Sequence, residues 1–147
     1  MSFSIKIFPA PMNGAAISPV WGQITLGDLV ESFPLMTSLW PAEEYERQWA
    51  TAIQALLHRR VSRALLVTDI EPTQDNDAIS YFVLFVEGSD VFVRQRFMRP
   101  APRVDVRVPE IIEPIIPPRF RDKEGDRNVV SEWCVSIDDL QDFCASS

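Results

Sequence analysis

The chain has 147 residues, 46% of them hydrophobic and 24% charged, enough to bury a core without metal or disulfide staples. Its 21 acids against 14 bases give a net charge of −7, a field that repels nucleic acid and anionic membrane and attracts a basic ligand or protein. No window approaches the roughly 18 apolar residues of a membrane span, and the start MSFSIKIFPAPMNG lacks a secretory pattern. Cys134 and Cys144 form neither a CxxC pair nor a disulfide framework, so reduced thiols in a cytoplasmic, single-domain protein over 1–147 are the expectation.

In chain order, SFSIKIF (2–8) alternates as a half-buried strand does, and three prolines and a glycine then break structure before VWGQITL (20–26). Gly27-Asp28 ends that strand, and LVESFPL continues as a second, short one. From Pro41 to His58 the apolar residues Tyr45, Trp49, Ile53, Leu56 and Leu57 form one stripe of 3.6-residue period, which predicts a helix over about 41–58. Pro41 suits its first turn, while Glu43, Glu44 and Glu46 complement the helix dipole at the start and His58, Arg59 and Arg60 at the end. Helix stabilisation is thus sufficient reason for those glutamates.

SRALLVTDI (62–70) predicts a buried strand and EPTQDNDA a polar loop. ISYFVLFV and VFVRQRFM flank EGSD as a hairpin, placing Arg94 and Arg96 on one face, opposite Val93 and Phe97. The proline-rich EIIEPIIPP predicts an extended segment or edge strand. VVSEWCVSI reads as a last strand and IDDLQDFCA as a short terminal helix. The fold class that follows is α+β, with a mainly antiparallel sheet of six or seven strands, one long helix and a short C-terminal helix.

The chain lacks HExxH, GxSxG, a P-loop and GxGxxG. His58 is the one histidine, read as a solvated or capping imidazole. Cys134 lies mid-strand beside Trp133 and reads as a buried structural thiol. The stretch Asp75–Asp77 echoes the start of a calcium loop but lacks the sixth-position glycine and the bidentate glutamate. The expectation is a protein that is no enzyme, with neither metal nor cofactor.

Charge is segregated instead. Between Asp69 and Asp90 lie six acids (Asp69, Glu71, Asp75, Asp77, Glu87 and Asp90) and no base, whereas Val91–Arg107 holds five arginines and one acid. The C-terminal stretch adds Asp138, Asp139 and Asp142. Solvated loops account for such acids one by one; a surface built for a basic protein partner accounts for them together with the net charge. These nine are the candidate partner-binding residues.

Two stretches carry a family signal. Trp21, Gly22, Ile24, Gly27, Asp28, Glu31 and Phe33, followed by Trp40, Tyr45, Gln48 and Trp49, resemble a pattern of immunity proteins from bacterial contact-dependent growth inhibition and related polymorphic toxin systems. SEWCVSIDDLQDF (131–143) resembles the ending of the same group. The resemblance implies a cytoplasmic antidote that binds the C-terminal toxin domain of a cognate effector, in many cases a basic nuclease, and neutralises it without chemistry of its own. A non-catalytic adaptor module with a different partner is the alternative.

Overall fold

A computed structural model describes residues 2–8, 20–71, 77–100, 104–119 and 132–146. Seven strands and three helices follow in the order β1 (Phe3–Ile7), β2 (Val20–Leu26), β3 (Leu29–Leu35), α1 (Ala42–Leu57), β4 (Arg63–Glu71), β5 (Ala78–Glu87), β6 (Asp90–Met98), α2 (Pro109–Ile112), β7 (Glu132–Ser136) and α3 (Ile137–Ser146). The α+β class holds, but the strands form two antiparallel sheets instead of one, ordered β1-β2-β3 and β4-β5-β6-β7.

The first sheet alternates cleanly. Phe3, Ile5, Ile24, Leu26, Phe33 and Leu35 are buried, while Trp21 and Val30 lie on the outer face. Its β2–β3 turn places Gly27 at φ 65°, the positive value that a two-residue hairpin requires at its first central position. Gly22 pairs with Phe33 across the strands, and a Cβ on Gly22 would lie 2.4 Å from the Phe33 ring. The missing side chain lets that ring lie flat over β2 and reach Trp49 and Phe82, each at a centroid distance of 6.2 Å. Gly22→Ala is therefore expected to destabilise the protein by about 2 kcal/mol through overpacking, read as a lower denaturant midpoint; Thr25→Ala, on the outer face, serves as the comparison.

α1 runs along β4 and also meets β1 and α3. The last two residues of its sequence signature explain why it lies there. β4 is an edge strand, and the Gln48 amide donates to Leu65 C=O at 2.8 Å while accepting from Val67 N–H at 2.9 Å. The Trp49 indole N–H donates to Val67 C=O at 2.7 Å. Side chains of a helix thus complete the hydrogen bonding of a sheet edge that would otherwise invite another strand. At the far end, Arg60 N–H bonds Ala55 C=O and Arg59 N–H bonds Leu56 C=O, with Arg59 at φ 59°, a Schellman ending in which arginine stands where glycine is usual.

In the second sheet Ala64–Thr68 and Tyr81–Phe85 are buried without a break, so both faces are covered. The cover on one face is the segment expected to be extended or an edge strand. It forms α2 and a 3-10 turn at Glu113–Ile115, with Pro109 and Pro114 in first-turn positions where their missing N–H costs nothing. Ile112 and Ile116, one helical turn apart, are buried, and Ile111 and Ile115 face outward. The segment is tied down at its middle and at its C-terminal end. Glu113 accepts from Ser62 N–H at 2.6 Å, and the Arg96 guanidinium donates to the carbonyls of Pro117 and Pro118 at 2.8 and 3.1 Å.

Candidate functional site

Five of the nine candidate acids fall at two opposite ends of β5, about 30 Å apart for a ten-residue strand. At one end β4 pairs with β5 as Asp69↔Ser80 and Glu71↔Ala78, which places Asp69, Glu71 and Asp77 together. Asp75 lies outside the described residues. Glu71 and Asp77 are exposed and carry no ion pair or side-chain hydrogen bond among the described residues. Asp69 differs. It follows a bulge after Val67, and its Oδ1 is buried with no hydrogen-bond partner among the described residues. Burial, and then the charge of Glu71, push its carboxyl above the ordinary 3.8. Beside it the Tyr45 hydroxyl donates to Met36 C=O at 2.6 Å, and burial followed by the Asp69 charge raises that phenol to about 12. The Tyr45 hydroxyl thus ties α1 to the end of β3 beside Asp69.

A cleft of about 370 Å³ opens at this end. Its apolar lining comes from Leu39, Trp40, Ile70, Ile79, Val104 and Val106. Asp77, Asp105 and Arg107 add the polar wall. Arg107 donates to Asp105 through Nε at 3.0 Å and pairs with Glu44 at 3.4 Å, so its charge is consumed locally. The hydrogen bond from Arg107 holds the Asp105 carboxyl below its ordinary range.

At the opposite end, β6–β7 pairing sets Asp90 against Ser136, and Ile137 N–H donates to Ser89 C=O at 2.9 Å. Glu87 and Asp90 therefore come beside Asp138 and Asp139, a juxtaposition that no local pattern contains. Asp139 is committed to the fold. Its carboxylate accepts from Ser136 N–H at 2.9 Å, and Ser136 Oγ accepts from Asp139 N–H at 3.1 Å, a reciprocal capping box. Glu87 is likewise engaged, by Arg119 at 2.5 Å. Asp90, Asp138 and Asp142 are exposed and without such partners among the described residues.

The arginine face of β6 points inward. Arg94 is 1% exposed, and its Nε donates to Glu132 Oε2 at 2.7 Å. Arg119 grips the same carboxylate through Nε at 2.8 Å and Nη2 at 2.6 Å, and stacks over the Phe92 ring at 3.4 Å. Arg96 lies over Phe85 at 5.1 Å. The hydrogen bonds from Arg119, then those from Arg94, lower the Glu132 carboxyl from 4.5 to about 2. These cations are thus used within the sheet.

Cys134, expected to be buried, is exposed, because it lies on the face of β7 opposite the buried Val135. Partial desolvation of the sulfur against the sheet and then the charge of Asp90 raise its thiol above the ordinary 9.0, away from nucleophilic reactivity. His58 is exposed at the C-cap of α1. Among the described residues no group of three or more His, Cys, Asp or Glu side chains is placed to hold a metal ion, and no helix is long and apolar enough to cross a membrane.

Comparison with known proteins places this arrangement. The model of the CdiI N-terminal domain matches residues 35–143. A chain of the CdiA-CT/CdiI toxin and immunity complex from Enterobacter cloacae has the same fold, with a TM-score of 0.78 over 98% of this chain and 97% of that one, at 21% identity. No curated protein matches. With three-quarters of its length inside the family model, the chain belongs to the CdiI family of contact-dependent growth inhibition immunity proteins.

Proposed function

We propose that this protein is a cytoplasmic antidote that binds the C-terminal toxin domain of a cognate contact-dependent growth inhibition effector and blocks it by occlusion, as a single non-catalytic domain needing no cofactor. The family match over residues 35–143 carries the reading. The charge pattern extends it to a basic toxin, most simply a nuclease whose nucleic-acid site is cationic. Carboxylates presented to that site take the place of phosphates against its arginines and lysines, and the field of a −7 protein steers the encounter. The test is protection: cells producing the C-terminal domain of the effector encoded beside this gene survive, with intact nucleic acid, when this protein is co-produced. Death despite equal production of a folded protein overturns the reading.

The electrostatic component has its own signature. Reversing Glu71, Asp77, Asp90, Asp138 and Asp142 to lysine together is expected to slow association about 10-fold or more at low salt and to flatten its dependence on ionic strength. Unchanged stopped-flow association kinetics would remove the basic-partner component and leave occlusion standing.

A further inference from the structure

We infer that the toxin docks at the cleft between the loop before α1, the β4–β5 end and residues 104–107, and that this cleft takes an arginine or lysine of the toxin flanked by an apolar side chain. The inference rests on the antidote reading and adds the place and chemistry of contact. Three observations select this end of the molecule. The first is shape with apolar surface: Leu39, on the cleft wall, is 45% exposed, and Met36, on the same loop, is 44% exposed. Side chains of that size left open beside a concave wall form the kind of desolvated centre that anchors an interface.

The second is uncompensated charge. Arg107 is held by Asp105 and Glu44, so it does not neutralise Asp77 on the same wall or Glu71 beside it. The third is the half-buried Asp69 carboxylate, raised by burial although the backbone at Met36 and Ile70 partly offsets it. Its Oδ1 lacks a partner among the described residues, and the charge of Glu71 adds to what burial already imposes on it. A cation docked over Glu71 and Asp77 relieves both carboxylates, and the stem of an arginine or lysine lies along the apolar lining. The opposite acidic end lacks this combination, since Glu87 is bound to Arg119 and Asp139 is used in the capping box.

The test compares Leu39→Asp, Asp77→Lys and their double variant with the control Asp138→Lys/Asp142→Lys, each titrated against the purified toxin domain at physiological salt. Leu39 and Asp77 are exposed, and melting curves verify that the variants fold. The double cleft variant is expected to bind about 100-fold more weakly and the control within about 3-fold of wild type. Asp77→Lys alone is expected to lose about 10-fold, which keeps the result readable if the double variant melts early. A cleft loss smaller than that of the control, or below about 10-fold in the folded double variant, overturns the assignment. So does a homodimer that Leu39→Asp dissociates while toxin affinity stays at the wild-type value, which would make a second copy the occupant. If the wild-type protein itself fails to bind, the antidote reading falls and the docking site with it.

Discussion

Trp49→Ala is expected to destabilise the protein by about 4 kcal/mol, lowering the melting temperature by roughly 10–15 °C. Trp49 is 2% exposed and packs edge-on against Phe33, so truncation leaves a cavity where the first sheet, α1 and β4 meet. It also removes the donor to Val67 C=O. Trp49→Phe separates the two effects: it keeps most of the packing and is expected to lose only about 1–2 kcal/mol for the unmade bond. The neighbouring Gln48→Leu keeps the volume but strips Val67 N–H and Leu65 C=O of their partner, for about 2 kcal/mol and an exposed strand edge prone to association. Equal melting temperatures for Gln48→Leu and wild type would mean that the helix does not serve as the missing strand.

Glu132→Ala is expected to cost about 3 kcal/mol, because it takes a bonded carboxylate away from the buried Arg94 and from Arg119 at once. Combining it with Arg94→Leu should recover part of the loss, since the buried cation that has lost its carboxylate is then gone. The same carboxylate gives the protein an acid signature. Its pKa of about 2 in the folded state lies below the ordinary 4.5, so its contribution is complete above pH 4.5 and is lost as pH falls from there toward 2. Across that window wild type should lose stability more steeply than Glu132→Gln. Parallel pH profiles would contradict a stabilising role for the ion pair.

Local patterns made the strands, the hairpin and α1 legible, because two-residue and 3.6-residue periods report which face of an element is buried. They do not report what covers that face. The stripe through Tyr45 and Trp49 is visible in the sequence, whereas the use of Gln48 and Trp49 to finish the edge of β4 depends on where the helix docks. Arg94 and Arg96 share a face as the alternation predicts, but the face is interior, since Pro109–Arg119, distant in sequence, folds across it. That segment misleads because prolines argue against regular structure, although Ile112 and Ile116 already carry the helical spacing. The division into two sheets follows from packing between strands and has no local sign.

The acids show the same limit. Composition marks them as a group, yet the fold commits Asp139 to a cap, Glu87 to Arg119 and Asp69 to a buried junction, and leaves Glu71 and Asp77 beside an apolar cleft. Selecting among like charges requires the nonlocal pairings β4–β5 and β6–β7.

Calorimetric titration of the purified protein with the C-terminal domain of the effector encoded beside its gene is the most direct measurement. The expected result is a one-to-one complex with a Kd of about 10 nM or tighter at physiological salt. The absence of binding heat and of a co-eluting complex at protein concentrations of about 50 μM would contradict the antidote function.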